Sequence, residues 1–146
     1  YNRTGSRSPM QWDDSTNAGF SSAPASDLYI AMDPDKDRPT AKKEMAAPDS
    51  LYHEVKKLIR IRQSHKALQS RGKITFVYAE KNAYPLAYIR EDGDEKILVI
   101  INAAAEAKTF ACDAEPKEAI YNFGAAAEAK NGKITVPAQS AGFYRI

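Results

Sequence analysis

At Arg71-Gly72 the spacing of apolar residues changes from that of a helix to that of a strand, and no other feature constrains the fold as much. Before it, Leu51, Tyr52, Val55, Leu58 and Ile59 recur on one side of a helical period, with Lys56, Lys57, Arg60 and Gln63 opposite. Pro48-Asp49-Ser50 supplies a start signal, because Asp or Ser can accept from the first free amides of a helix. The spacing predicts one helix from Asp49 to about Leu68. Arg62 projects from the middle of the apolar stripe, so its guanidinium must find a partner or reach out to water.

After Gly72 the period is two. Ile74–Tyr78, Leu86–Ile89, Ile97–Ile101, Thr109–Cys112, Ala119–Tyr121, Ile134–Val136 and Gly142–Ile146 are short β-branched or aromatic runs. Asp92-Gly93 and Asn131-Gly132 between them supply the positive φ that tight hairpins require. Seven such runs predict an antiparallel β-sandwich. Ile97–Ile101 is apolar on both faces and is expected at its centre. Ala103–Lys108 is echoed by Ala125–Lys130. The echo is only six residues long and reads as two strand connections of similar composition.

Residues 1–47 read differently. Pro9, Pro24, Pro34 and Pro39 fall there among many Gly, Ser, Asn and Asp, which is loop chemistry. A loop of that length implies function or lost neighbours. The chain has 146 residues with 43% hydrophobic content, enough to bury a core. A net charge of +2 argues against nucleic acid or an anionic membrane as partner. No apolar run approaches the roughly 20 residues of a membrane span. Cys112 is the single cysteine, so no internal disulfide can form, and in a strand it reads as a small core hydrophobe.

Candidate chemistry is sparse. Asp33, Asp35, Asp37 and Glu44 have the spacing of a calcium loop, but Arg38 stands where such a loop needs glycine, Pro39 follows, and Lys42 and Lys43 add positive charge. These residues are read as solvated loop, and no metal site is assigned. Neighbouring side chains on one loop point apart, so Asp13 and Asp14 are not a glycosidase pair. Asp13 or Asn17 is expected to close the loop by bonding nearby backbone amides. His53 and His65 lie on different helix faces and cannot share a metal; His65 is expected to face the helix dipole or to pack as a ring. Tyr78, Tyr88, Tyr121 and Tyr144 are expected to pack within the sheets rather than stack on sugar.

The segment Ser6-Arg7-Ser8-Pro9-Met10-Gln11-Trp12-Asp13, followed by Asn17-Ala18-Gly19-Phe20, resembles glycoside hydrolase family 13, the α-amylase family, in the branch of α-glucosidases, oligo-1,6-glucosidases and trehalose synthases. Ser8 stands where that branch commonly has Thr and keeps the hydroxyl. The resemblance extends through Pro48–Leu51 and Leu58–Arg62 into the sandwich. It implies that residues 1–70 are the end of a (β/α)8 barrel, namely the loop after the eighth strand and the final helix, and that residues 71–146 are the family's C-terminal sandwich. The chain is then a C-terminal piece of a larger enzyme.

The resemblance further implies a retaining enzyme acting on α-glucosidic bonds of oligosaccharides. Its catalytic carboxylates would come from earlier strands, so this piece has none and should be inactive alone. Arg7 would be the substrate-binding residue here, pairing with an early-loop aspartate to wall the glucose pocket. No cofactor is implied, and a cytoplasmic location is expected. The alternatives are an independent carbohydrate-binding sandwich module and a piece of a maltose-to-trehalose isomerase. Without the barrel, the apolar face of the helix should lie open or find a cover in residues 1–47 or a second copy of the chain, as a homodimer.

Overall fold

A computed structural model describes residues 7–146. They form two compact units that divide between Ile59 and Arg60.

In the first unit, 3-10 turns at Thr16–Gly19 and Ala25–Asp27 precede helix α1, Ala41–Ala46. This helix is a departure from the expected loop. Thr40, which is buried, caps it by accepting from the Lys43 amide at 3.2 Å. Helix α2, Leu51–Ser64, begins in this unit. Its start is built differently from expectation: the Ser50 hydroxyl donates to the Glu44 carbonyl at 2.6 Å. Leu51, Tyr52, Val55 and Ile59 are exposed, as an open apolar stripe requires.

The second unit carries the end of α2 and the sandwich. The helix stops at Ser64, four residues before the expected Leu68. His65 is extended and a separate 3-10 turn follows at Lys66–Leu68. The reason is a competing set of partners. The Glu95 carboxylate accepts from His65 Nδ1 at 2.6 Å and from the Ala67 amide at 2.9 Å, and the Arg62 Nε donates to the Leu68 carbonyl at 3.3 Å. Arg62 thus finds its partner locally, and His65 is tied to a carboxylate rather than to the helix dipole.

Eight strands follow: β1 Lys73–Tyr78, β2 Leu86–Asp92, β3 Glu95–Asn102, β4 Lys108–Ala111, β5 Glu118–Phe123, β6 Glu128–Lys130, β7 Lys133–Val136 and β8 Ser140–Arg145. They make a five-stranded sheet in the order β1-β2-β3-β8-β5 and a three-stranded sheet in the order β4-β7-β6, with every pairing antiparallel. This mainly β architecture with a short helical region before it is the expected sandwich. The echo was misread in its second copy. Glu128–Lys130 is the edge strand β6, invisible by composition because all three side chains are exposed. Asn131 and Gly132, at φ 51° and 70°, turn it into β7. At the other hairpin only Gly93, at φ 62°, is left-handed; Asp92 still belongs to β2.

β3 is the centre. Leu98 and Ile100 face the second sheet, joining Ala87, Phe110, Cys112, Ile134, Val136 and Tyr144. Ile97 and Val99 face the other way and pack with Ala67. Cys112 is buried, and burial raises its thiol pKa, as suits a core hydrophobe. Of the strand tyrosines, Tyr121 and Tyr144 are buried and Tyr78 and Tyr88 half-buried. The Tyr144 hydroxyl donates to Asn122 at 2.8 Å and accepts from the Ala127 amide at 3.0 Å. Gly142 makes room for that ring, since a Cβ there would sit 2.4 Å from it.

Asn102, buried at the end of β3, donates to the carbonyls of Glu106, Val136 and Pro137 at 2.8–3.2 Å and accepts from the Ala104 amide at 3.1 Å. Asn102→Ala would leave these groups without that partner, at a cost of about 3 kcal/mol. Urea unfolding should show it, and a loss under about 1 kcal/mol would mean that the network contributes little.

Burial acts to raise the Glu95 carboxyl, but the Ala67 amide, His65 and Arg145 outweigh it and hold it below the usual range. A depressed folded pKa contributes stability above the unfolded value of about 4.3, and that contribution fades as pH falls through the folded value. Glu95→Gln should therefore melt earlier than the parent at pH 7, and the gap should close below about pH 4. A gap constant with pH would refute this account.

Candidate functional site

The opening loop folds on its own backbone. Asn17, Ala18 and Gly19 are consecutively left-handed, at φ 50°, 52° and 68°. Asparagine and glycine tolerate this; alanine does so at a cost of about 1–2 kcal/mol. Ala18 is fully buried, and its carbonyl accepts from the amides of both Trp12 (2.8 Å) and Asp13 (3.2 Å). The chain thus closes a ring from Trp12 to Ala18.

Asp13 and Asn17 close the loop as expected, although with different partners. The Asp13 carboxylate accepts from the Ser15 hydroxyl and from the Ser15 amide at 2.9 Å. The Ser15 hydroxyl is the main cause of a lowered Asp13 pKa, helped by the Ser15 amide and Lys42 against a small effect of burial. Asn17 donates instead of accepting: its Nδ2 reaches the carbonyls of Ser21 (2.9 Å) and Ala23 (2.7 Å). Asp14 points away and pairs with Lys43 at 3.0 Å, so the two aspartates do different work.

Gln11 and Trp12 join the loop to α1. Their carbonyls accept from the Ala41 and Lys42 amides at 2.8 and 2.9 Å, and the Gln11 Nε2 donates to Pro39 at 2.7 Å. With Thr40 serving Lys43, the first three amides of α1 are satisfied. The sequence reading missed Thr40. Its signal was a Thr directly before the helix-forming run Ala41-Lys42-Lys43-Glu44. It also missed Ala18, for which no signal exists, because alanine does not advertise a left-handed backbone.

Arg7 is exposed, two residues before the buried Pro9. The indole of Trp12 and the side chains of Met10 and Phe20 are exposed as well. The calcium-like stretch forms Asx turns: Asp33 accepts from the Asp35 amide and Asp35 from the Asp37 amide, at 3.0 and 2.9 Å. Arg38 donates to the Asp35 carbonyl at 2.9 Å. Among the described residues no group of three or more His, Cys, Asp or Glu could hold a metal ion, and no helix is long and apolar enough to cross a membrane.

The alpha-amylase catalytic-domain family matches residues 1–71. Glucan 1,6-alpha-glucosidase of Streptococcus pneumoniae is 30% identical over 135 residues, covering 92% of this chain and 24% of that protein. Trehalulose synthase MutB from Pseudomonas mesoacidophila MX-45 overlays with a TM-score of 0.78 at 30% identity, covering 95% of this chain and 25% of that one. The chain belongs to the α-amylase family. Within it, the chain is related to the oligo-1,6-glucosidase and trehalose synthase branch: the oligo-1,6-glucosidase of Parageobacillus thermoglucosidasius is 34% identical over 108 residues, covering 74% of this chain and 18% of that enzyme. It spans about a quarter of the length of the relatives first named. It is a carbohydrate-active α-amylase-family domain akin to α-glucosidases and oligosaccharide isomerases, and by that likeness it belongs with proteins that bind carbohydrate substrates.

The loop should depend on Gly19. A Cβ there would meet the Asp13 carboxylate at 2.9 Å and Trp12 Cβ at 3.2 Å, on a backbone already left-handed. Gly19→Ala should cost about 1–2 kcal/mol locally and speed proteolysis between residues 12 and 20 severalfold. Unchanged cleavage rates would show that the ring is not held as described.

Proposed function

We propose that this chain is the C-terminal quarter of a retaining enzyme that forms a covalent glucosyl intermediate on α-glucosides. We place the end of its catalytic barrel at about residue 70, a reading supported by the change of period at Gly72 and by the family match ending at 71. Two fates of the intermediate are open to such an enzyme. Water gives hydrolysis. Return to a different hydroxyl of the departing sugar gives isomerisation. We favour isomerisation. The observation that carries it is the likeness of nearly the whole chain to trehalulose synthase, which reaches a TM-score of 0.80 for the form in complex with the substrate sucrose. Hydrolysis is the second reading, supported by the glucosidases among the relatives.

In this proposal Arg7 lines the rim of the glucose pocket, held in place by the closed Trp12–Ala18 ring that follows it. Its guanidinium would engage a carboxylate from an earlier loop through two parallel hydrogen bonds, a geometry that lysine cannot reproduce. The chemistry itself belongs to carboxylates outside residues 1–146. As an independent sugar-binding module the sandwich is poorly furnished, since its buried and half-buried strand tyrosines are engaged in packing.

Product analysis on sucrose and maltose with the full-length protein tests the choice. Isomeric disaccharides should exceed free monosaccharides; monosaccharides alone would favour hydrolysis, and no turnover of any α-glucoside would remove both readings. In the full-length protein, Arg7→Lys should lower kcat/KM by more than about tenfold, a loss of over about 1.4 kcal/mol in transition-state stabilisation. A near-normal value would remove Arg7 from the rim. The 146-residue chain alone should show no enzymatic turnover.

A further inference from the structure

Strand register lines up one apolar row across the whole width of the larger sheet. Phe76 of β1 stands opposite Tyr88 of β2, Tyr88 opposite Val99 of β3, Val99 opposite Phe143 of β8, and Phe143 opposite Tyr121 of β5. Ring contacts confirm that the row shares one face: Phe76 to Tyr88 at 6.1 Å and Tyr121 to Phe143 at 5.2 Å between centroids. This is the face turned away from the smaller sheet, because Val99 packs with Ile97 and Ala67 while Leu98 and Ile100 fill the sandwich interior. An antiparallel sheet with one solvated face should alternate apolar-in with polar-out. Here the outward positions are apolar too.

The cover over this face is incomplete. Ala67 and Leu68 sit on the middle of it. Toward the edges, Phe76 is 60% and Phe123 53% exposed, and Ile74 is exposed beside Phe76. Contiguous exposed apolar surface of this kind marks an interaction site. Its chemistry is that of a protein interface: aliphatic residues such as Ile97, Val99 and Ile101 lie between the rings, where a sugar platform would need polar partners.

We infer that the outer face of the five-stranded sheet, with Phe76 and Phe123 as its lateral anchors, is the docking surface for the part of the catalytic domain that precedes residue 1. Two observations name this occupant. The cover already in place, Ala67-Leu68, belongs to the stretch matched by the catalytic-domain family, residues 1–71. That match ends two residues before β1, the strand that carries Phe76, so the domain ending there emerges directly beside the open face. The inference rests on the reading that the chain is the C-terminal quarter of a longer enzyme.

Covalent footprinting with a side-chain-reactive carbene tests it, comparing the full-length protein with the 146-residue chain at low concentration. Phe76 and Phe123 should be labelled severalfold less in the full-length protein. Equal labelling would overturn the inference. Protection that appears in the 146-residue chain as its concentration rises, but not in the dilute full-length protein, would assign the face to a second copy and also overturn it. As a second measure, Phe76→Lys with Phe123→Lys should leave the melting temperature of the 146-residue chain nearly unchanged and lower that of the full-length protein by several degrees; equal shifts in both would overturn the inference. Product analysis separates the two levels. A protected face in a protein without α-glucoside turnover would sink the proposed function alone, and an active enzyme with unprotected phenylalanines would sink the docking surface alone.

Discussion

The sandwich depends on a strand that is apolar in both directions. Ile97, Leu98, Val99 and Ile100 are each all but fully buried, two toward the smaller sheet and two toward the outer face. Complete burial of one such side chain contributes about 1.5–3 kcal/mol, so four in succession outweigh any other run in the chain. A one-residue slip of β3 would exchange the two sets. The slip is resisted because the faces differ in shape: Leu98 and Ile100 interleave with Phe110, Ile134 and Val136, whereas Ile97 and Val99 meet the small Ala67.

Polar groups then fix what burial leaves undirected. Asn102 gathers three carbonyls at one end of β3, and Glu95 gathers His65 and the Ala67 amide at the other. Arg90 donates to the carbonyls of Gln69 and Gly72 at 2.6 and 3.0 Å. Gly72 is itself pressed so close to Ala67 that a Cβ would fall 2.1 Å from the Ala67 carbonyl oxygen. Residues 65–72 are therefore a stiff joint rather than a linker. The composition of this segment does not reveal that, because its partners lie some 20 to 30 residues away.

The opening loop follows a different logic. It is held by backbone conformation and carbonyl placement, with few apolar contacts. The Ala18 carbonyl ties the amides of Trp12 and Asp13, while Gln11 and Trp12 lend their carbonyls to α1. Conformational cost stored at Ala18 is offset by these bonds, an arrangement that suits a rim whose side chains must stay presented. The exposed Trp12, Met10 and Phe20 are consistent with a surface built to meet something that residues 7–146 do not contain.

What was legible in the sequence follows from local physics. Period-two apolar runs, Gly93 and Asn131-Gly132 with their tolerance of positive φ, and the doubly apolar Ile97–Ile101 announced a sandwich with β3 at its centre. The Arg7–Phe20 motif announced the family. Each of these signals is carried by neighbouring residues acting through steric preference or hydrophobic period. The tertiary structure decided the rest. It ended α2 at Ser64, because Glu95 competes for His65 and Ala67. It made β6 a strand, because β7 offers a hydrogen-bonding edge to three otherwise featureless residues. It forced Ala18 left-handed, because two amides converge on one carbonyl. It also aligned Phe76, Tyr88, Val99, Phe143 and Tyr121, which are scattered over 68 positions, into a single row. Pairing between distant segments depends on register, and register exists only once the sheet has formed.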